Sequence, residues 1–254
     1  VVNAPPNGYT LLMGNVAPNA INVSIFKKLP FNPEKDLAPI SLVAITPNIL
    51  VTNMELPIRS SADLLALAKA STGKINYPSA GNGSSSHLAG VLFGSMGNVN
   101  MTHVPYKGGG LAMNDLLGGQ IDLMCDQTTN TSAQIEAGKV KAFGVTTSKR
   151  LTTPALKSLP TLQEDGLKSF EVNIWHGLYA PKGTPADVVT KINAALKTAL
   201  KDADFVKKQE ALGAVIITDK RVESAEHKKF VAAENARWRS EEHTSELQSR
   251  SAIS

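Results

Sequence analysis

Residues 75–96 read INYPSAGNGSSSHLAGVLFGSM, and this stretch decides the predicted fold. Ile75 to Tyr77 are typical of a short strand. Leu88 and Leu92 then follow the spacing of one helical face, which predicts a helix from Ser85 to Met96. A loop of glycine and serine joins the two elements. A strand, a short loop and a helix in this order begin a βαβ unit.

The same alternation precedes this stretch and continues after it. Ser60 is expected to cap a helix that stops at Gly73. Beyond residue 96, strands and helices are predicted in turn at His103 to Tyr106, Leu111 to Leu117, Ile121 to Cys125, Ser132 to Ala137 and Ala142 to Thr146. Such alternation with short connections predicts an α/β fold with a mainly parallel sheet covered on both faces.

Further strands and helices flank the alternating region. Short apolar runs predict strands at Tyr9 to Met13, Ile40 to Val43, Ile49 to Thr52, Val172 to Trp175 and Gly177 to Ala180, followed by three consecutive helices. The break Thr46-Pro47-Asn48 is a candidate crossover, and the strand after residue 171 is a candidate return. We therefore predict two α/β domains joined by two crossovers, residues 1–47 with 172–238 and residues 48–171.

Composition excludes several classes of function. The chain is 42% hydrophobic and 19% charged, and it has no apolar run of about 18 residues that would span a bilayer as a helix. Its net charge of +4 comes mostly from scattered basic pairs, and aromatic residues make up only 5% of the chain. Nucleic-acid binders concentrate basic and aromatic side chains on one surface, so no nucleic-acid partner is predicted. The single cysteine, Cys125, is expected to be an inert core residue.

Both ends of the chain break with the pattern. The polar stretch from Arg239 resembles a translated sequencing adapter, so residues 239–254 are predicted to be a non-native tail, with a natural polar tail as the alternative. The chain begins with Val1 and has no signal-peptide pattern. It reaches its first strand abruptly, and we expect an N-terminal part of domain 1 to be missing.

The first candidate binding segment lies between the strand and the helix of residues 75–96. Its residues are Gly81, Asn82, Gly83, Ser84 and Ser85. Glycines let a backbone approach a ligand closely, and free N–H groups at a helix start favour an anion. A plain tight turn with a serine cap explains the same residues equally well. Neither a P-loop nor a dinucleotide-binding pattern is present.

Two further strand-to-helix junctions are expected on the same sheet edge. Tyr106 and Lys107 precede three glycines, and Lys107 would either complement an anion or remain a solvated loop charge. Asp126 follows a predicted strand, where its carboxylate would bind a ligand amine or hydroxyl, or cap the next helix. Trp175, near the return crossing, would either pack in the core or contact the cleft.

Enzyme and metal chemistry find little support in the residue spacing. Ser84 and His87 are three residues apart, but a nucleophile elbow Gly-Xaa-Ser-Xaa-Gly is absent, and His87 is expected on the helix surface. The histidines show no metal-ligand spacing. No catalytic residue, metal or cofactor is therefore predicted, and a serine-dependent hydrolase acting in the same cleft remains the alternative.

Several motifs carry a resemblance to a known family. They are Gly8-Tyr9-Thr10-Leu11-Leu12, Lys28-Leu29-Pro30-Phe31, Ser79-Ala80-Gly81-Asn82-Gly83, His103-Val104-Pro105-Tyr106-Lys107-Gly108, Leu116-Leu117-Gly118-Gly119-Gln120-Ile121-Asp122-Leu123-Met124 and Gly177-Leu178-Tyr179-Ala180-Pro181. In this order and spacing, residues 7–238 resemble the Bug/TctC family of receptors for tripartite tricarboxylate transporters.

The resemblance implies a fold, a function and a site. The fold would be a type II periplasmic binding protein, whose two domains close on a ligand. The function would be that of a monomeric periplasmic receptor, without catalytic activity, that delivers a tricarboxylate, dicarboxylate or acidic amino acid to membrane permease subunits. Ligand contacts are implied at Asn15, Ala17, the Gly81–Ser85 segment and Asp126. The chain departs from the family by lacking the usual first strand, loop and helix, which puts part of that site in doubt.

Overall fold

A computed structural model of the chain describes residues 1–26 and 28–239. The strands are Leu12–Asn15 (β1), Leu37–Thr52 (β2), Asn76–Ser79 (β3), Thr102–Pro105 (β4), Leu123–Gln127 (β5), Lys141–Val145 (β6), Asn173–Pro181 (β7) and Val215–Ile216 (β8). The predicted non-native tail lies outside the described residues except for Arg239.

Nine α-helices and two other helical turns accompany these strands within the described residues. The α-helices are Asn22–Ile25 (α1), Pro33–Asp36 (α2), Ser61–Ala70 (α3), Ser85–Met96 (α4), Gly109–Leu117 (α5), Thr128–Glu136 (α6), Ala186–Ala199 (α7), Ala203–Ala211 (α8) and Ser224–Arg239 (α9). A π-helical turn spans Ala17–Ile21, and a 3-10 turn spans Lys220–Val222. None of the described helices is long and apolar enough to cross a membrane.

The long strand β2 pairs with four strands, β5, β6, β7 and β8, and changes partners part-way along its length. Residues 37–47 pair antiparallel with β7, whereas residues 48–52 lie between β5 and β6 and are antiparallel to both. The two strands predicted around Pro47 are thus one strand. Pro47 falls where the β7 ladder ends and the β5 ladder begins, a position at which a residue without an N–H interrupts neither.

The prediction of a mainly parallel sheet was wrong for the hydrogen-bonded ladders. Among the described strands, only β3 and β4 pair in parallel, and they lie beside β5 through the Asp122 N–H, which donates to the Asn76 carbonyl. The strands β5 and β6 do point the same way, but β2 runs between them in the opposite direction. Alternation along the sequence does not reveal a strand inserted from elsewhere in the chain. The α/β class itself is confirmed.

Most predicted helices are confirmed, but the first strand is shifted. Helix α4 has the predicted bounds, and the Ser60 hydroxyl accepts a hydrogen bond from the Asp63 N–H as a helix cap. In contrast, β1 begins at Leu12, and Tyr9 is 93% exposed. The Asn7 side chain accepts from the Tyr9 N–H, and Gly8 has a φ of +85°, so this part of the predicted strand is a turn.

The core lies on both faces of β2 because side chains alternate along a strand. Leu50 faces a cluster that includes α4, where residues 85–95 are all buried. Ile49 and Val51 face a second cluster with Met113 and its neighbours on α5. Helices α7 and α9 contact β2, as expected for helices that return to the first domain. Cys125 is buried in the core, as predicted.

Three chain segments are tied together where β2 changes partners. The N–H of Asn48 donates to the Thr146 hydroxyl at 3.2 Å, and the Thr146 N–H donates to the Asn48 carbonyl at 3.0 Å. The Thr146 hydroxyl donates to the Val172 carbonyl at 2.6 Å. This junction coincides with the predicted boundaries at 47/48 and 171/172, and we retain the two-domain division as a proposal that it supports.

Replacing Thr146 with valine should destabilise the protein. The substitution keeps the shape of the side chain but leaves the buried Asn48 and Val172 groups without their hydroxyl partner, which costs about 1–3 kcal/mol. Urea denaturation of both forms measures the change. Thr190→Val is the control, since that hydroxyl bonds the Ala186 carbonyl on an exposed helix and its loss should stay within about 0.5 kcal/mol. Equal effects would contradict the role of the junction.

Candidate functional site

A cavity of about 340 Å³ opens between the two halves of the molecule. One wall is formed by the end of β1 and the π-helical turn, and the opposite wall by the starts of α4, α5 and α6. The lining residues are Asn15, Ala17, Pro18, Ala80, Ser84, Ser85, Ser86, Gly109, Gly110, Asp126, Gln127 and Asn130. The three predicted junctions therefore line one cavity, although β3 and β4 form a separate two-stranded sheet from that of β5.

The start of α4 presents free N–H groups to the cavity. Ser84 is the cap residue, and its hydroxyl accepts from the His87 N–H at 3.3 Å, while its own N–H donates to the Gly81 carbonyl. Among the described residues, no acceptor is found for the N–H groups of Ser85 and Ser86. The first turn of a helix leaves such groups unpaired and carries a partial positive charge. This wall can therefore bind an anion.

The preceding loop supports this helix start rather than lining the cavity. Gly81, Asn82 and Gly83 were predicted as contacts, but none of them lines it. The Gly81 N–H donates to the Ser79 hydroxyl, and the Gly83 N–H donates to Nδ1 of His87. Both amides are thus satisfied inside the protein. The two glycines adopt φ values of +129° and +71°, which side chains disfavour, and this turn leads the chain into α4.

The second junction contributes main chain and not the predicted side chain. Gly109 and Gly110 open α5 and line the cavity, and no side-chain cap covers this helix start. Tyr106 does not line the cavity, because its phenol donates to the Asp115 carboxylate at 2.6 Å. Lys107 is exposed and also lies outside the lining. Of its two predicted roles, the solvated loop charge fits the structure.

The third junction places a buried carboxylate in the cavity wall. Asp126 is only 6% exposed and accepts a hydrogen bond from the Asn130 side chain. Burial raises its pKa, and that hydrogen bond partly opposes the rise. Gln127, and not Asp126, precedes the first residue of α6, without a side-chain cap. Asp126 therefore does not cap α6, and its carboxylate can accept a hydrogen bond from a ligand.

The opposite wall agrees with the prediction at Asn15 and Ala17, which both line the cavity. The Asn15 side chain accepts from the Ala17 N–H at 3.0 Å and so fixes the start of the π-helical turn. Trp175 does not line the cavity. Its indole N–H donates to Glu234 at 3.0 Å and its ring packs against Phe230, so of the two predicted roles it has the packing one.

Sequence reasoning missed seven lining residues: Pro18, Ala80, Ser86, Gly109, Gly110, Gln127 and Asn130. The glycine run after β4 was a usable signal, because it removes side chains from a helix start. Gln127 directly precedes α6, and Asn130 lies on its first turn, where its side chain donates to the Asp126 carboxylate. Pro18 and Ala80 carry no chemical signal of their own.

The pair Ser84 and His87 does not form a nucleophile and a base. His87 was predicted on the helix surface, but it is buried, because its ring turns inward to accept from the Gly83 N–H. The Ser84 hydroxyl bonds main chain and the Ser86 hydroxyl instead. Burial and the neighbouring His103 lower the pKa of His87 to about 4. Within the described residues, no group of three or more His, Cys, Asp or Glu side chains could hold a metal ion.

The sequence of the chain matches a family of known sequences. Residues 1–242 match the profile described as "Tripartite tricarboxylate transporter family receptor". The chain belongs to this family. The predicted resemblance to the Bug/TctC receptors is thereby confirmed.

Individual relatives agree with the family match. An Agrobacterium vitis protein encoded in the TAR-I ttuE-ttuC' intergenic region is 40% identical over 233 residues, which cover 91% of this chain and 66% of the relative. The chain thus spans about two thirds of that relative's length. The solved periplasmic binding protein BugD is 39% identical with a TM-score of 0.91, and the alignment covers 100% of this chain and 81% of BugD.

A second solved structure carries a ligand. MatC from Rhodopseudomonas palustris, with bound malate, is 34% identical with a TM-score of 0.89, and the alignment covers 94% of this chain and 81% of MatC. Together with BugD, this similarity confirms the predicted fold class, that of a type II periplasmic binding protein.

Replacing Asp126 with asparagine should stabilise the protein. Folding raises the pKa of Asp126, because burial disfavours the ionised carboxylate. The ionised carboxylate therefore destabilises the folded protein at neutral pH, and this effect disappears as the pH falls toward 3.8. Asparagine keeps the shape and an acceptor for Asn130. The variant should be more stable than the parent at pH 7, and the difference should shrink on acidification. Urea denaturation at pH 7 and pH 4.5 measures it. A loss of stability at pH 7 would contradict the raised pKa.

Proposed function

We propose that the protein is a receptor for small dicarboxylates or tricarboxylates. The observation that carries this proposal is the convergence of three helix starts and the π-helical turn on one cavity. Among the described residues that line it, none is a lysine or an arginine. An organic acid would therefore be held by main-chain N–H groups and helix dipoles, which stabilise a carboxylate without a cationic side chain.

The size of the cavity supports a small ligand that bridges its two walls. A volume of about 340 Å³ lies at the lower end of the range for small-molecule sites. One carboxylate would meet the N–H groups of Ser85 and Ser86 or those of Gly109 and Gly110. The other would face the wall of Asn15 and Ala17. A ligand in this position would lie between the two halves of the molecule.

Asp126 points to a more specific class of ligand. A buried carboxylate accepts hydrogen bonds, so it would repel a bare dicarboxylate and favour one that also carries a hydroxyl or ammonium group. The malate bound to MatC is a hydroxy-substituted dicarboxylate, whereas the adipate bound to another solved relative is unsubstituted, so the choice rests on Asp126. We therefore infer a preference for 2-hydroxy or 2-amino dicarboxylates over unsubstituted ones.

Receptor function extends the proposal beyond the cavity. The family description and the similarity to the periplasmic binding protein BugD support a periplasmic protein that works with membrane permease subunits. In this role the ligand would draw the two domains together around the Thr146 junction, and the closed form would be recognised by the permease. The receptor would act as a monomer and would not alter its ligand. The hydrolase alternative gains no support from a cavity in which Ser84 has no base.

Thermal melts with malate and succinate test the proposed ligand class. The protein should be stabilised by both acids, since each binds the folded state, and by about 2.7 kcal/mol at a hundredfold excess over Kd. This corresponds to about 5–10 °C in Tm. Malate should act at lower concentration than succinate because its hydroxyl can donate to Asp126. The melts of the Asp126→Asn variant should show a smaller difference between the two acids.

The outcome of these melts is decisive for the proposal. Absence of any concentration-dependent shift with malate, succinate or citrate would contradict a carboxylate receptor. If the parent and the Asp126→Asn variant prefer malate over succinate to the same degree, the role of Asp126 is contradicted but the carboxylate receptor is not.

Replacing Ser84 with alanine should weaken ligand binding as well as folding. Loss of a serine cap costs about 1 kcal/mol of stability, and here it also loosens the helix start at the cavity. Ser60→Ala is a matched control, because Ser60 caps α3 outside the cavity lining. Both variants should melt lower, but only Ser84→Ala should lose malate affinity in calorimetry, by about threefold to tenfold. Ester hydrolysis that Ser84→Ala abolishes would instead favour the hydrolase.

A further inference from the structure

Two stacked histidines lie behind the loop that leads into α4. The rings of His87, on α4, and His103, on β4, have centroids 3.9 Å apart and planes 15° apart. His87 is buried and its Nδ1 accepts from the Gly83 N–H at 3.1 Å. His103 Nε2 lies 2.7 Å from the hydroxyl of the buried Ser79. Neither histidine lines the cavity.

The hydrogen bonds fix how the His87 ring is protonated. Because His87 accepts at Nδ1, its neutral ring must carry the proton on Nε2. The Ser79 hydroxyl lies 3.1 Å from both the carbonyl oxygen and the N–H nitrogen of Gly81, and 2.7 Å from His103 Nε2. His103 Nε2 either donates to this hydroxyl or accepts from it, because the Gly81 carbonyl also accepts from the Ser84 N–H and is paired in both cases.

We propose that His87 and His103 are positioning residues that hold the Ser79–Gly83 loop, and through it the start of α4, in the conformation that binds the ligand. This inference rests on the proposed function, because it concerns the same cavity. Each ring bonds one arm of the loop, and the stack couples the two arms. The amides of Ala80, Gly81 and Gly83 in the loop are then paired internally, as is that of Ser84, while Ser85 and Ser86 line the cavity at the first turn of α4.

Polar pairing distinguishes this role from simple packing. An apolar side chain at position 87 would fill similar space but leave the Gly83 N–H without an acceptor, which a buried amide tolerates poorly. The loop would then have to rotate to satisfy that group. Gly83 has little free space for such a change, since a side-chain carbon placed on it would meet the Phe26 ring and the Asn22 side chain. The rearrangement would therefore displace Ser84 and the helix start.

The same geometry makes the loop sensitive to acid. A proton on Nδ1 of His87 would oppose the Gly83 N–H and place a cation against the His103 ring. The titratable groups packed against His87 are His103 from β4 and the Tyr77 phenol from β3, and neither is an anion that would stabilise the charge. Burial and His103 accordingly lower the pKa of His87 to about 4. The anchored loop is thus present above this pH and is lost as the pH falls through it.

Two substitutions of His87 separate the hydrogen bond from the packing. In His87→Asn, the amide oxygen can take the place of Nδ1 and accept from the Gly83 N–H. In His87→Leu, the volume remains but the acceptor is lost. Calorimetry with malate should show affinity within about threefold of the parent for asparagine and a loss of about tenfold or more for leucine. Equal losses in the two variants, or no loss in leucine, would overturn the inference.

The pH profile provides a second readout that packing alone would not change. Malate and Asp126 titrate equally in the parent and in His87→Asn, so the ratio of the two proteins' malate affinities reports on the histidine alone. This ratio should be constant from pH 7 to about 5. As the pH approaches 4, the parent should lose affinity relative to His87→Asn, in line with the pKa of His87. A constant ratio down to pH 4 would overturn the acid sensitivity and with it the proposed tautomer of His87.

A ligand-free measurement keeps this inference distinct from the proposed function. Imidazole ¹⁵N shifts of the unsubstituted protein at pH 7 should show Nδ1 unprotonated and Nε2 protonated in the His87 ring, and the Gly83 amide should exchange slowly. A protonated Nδ1 on His87 would overturn the inference even if malate binds. If the protein binds no carboxylate but shows these shifts and a protected Gly83 amide, the proposed function fails while the anchoring of the loop stands.

Discussion

The continuous hydrogen bonding of β2 is the constraint on which the arrangement of this molecule depends. One strand of 16 residues supplies the ladder for β7 in its first part and for β5 and β6 in its second. Strand β5 pairs with β2 directly and β1 is joined to it through β7, while β3 and β4 lie beside β5. The end of β1 and the ends of β3, β4 and β5 consequently meet from opposite sides. A cavity between them is the result.

The chemistry of the cavity follows from what helix starts leave unpaired. Three helices begin at its edge, and their first-turn N–H groups have no partner within the helix. Such groups are costly to bury and easily satisfied by an anion, so in the proposed function they would bind a carboxylate without a lysine or arginine in the described lining. Asp126 introduces a negative charge at the same cavity. The combination would select a ligand that offers oxygens to the amides and a hydrogen-bond donor to the Asp126 carboxylate.

The histidines behind the α4 loop show how a site of main-chain groups is kept in shape. Main-chain donors cannot be aimed by choosing a side chain, so their direction depends on the dihedral angles of the loop. Side chains behind the loop set those angles by forming hydrogen bonds with loop groups that would otherwise rotate to find other partners. Ser79, His87 and His103 act in this way on one face, while the other face remains open to the ligand.

The sequence alone determined the alternation of strands and helices, the helix caps and the family. These features are local, because periodic apolar residues and capping side chains act over a few positions, as at Ser60 and along Ser85–Met96. It also located three junctions of the site, since glycines, serines and Asp126 follow predicted strands. What it could not determine was which groups of each junction face the cavity.

Tertiary structure alone decided those orientations. The insertion of β2 between β5 and β6 depends on pairing between residues almost a hundred positions apart, which no local pattern encodes. The Gly81 and Gly83 amides turned inward because partners from α4 and β3 were available to accept from them. Tyr106 turned away toward Asp115, and Trp175 packed under α9, for the same reason. A residue type defines what a group can bind, but the packing of distant segments defines where it points.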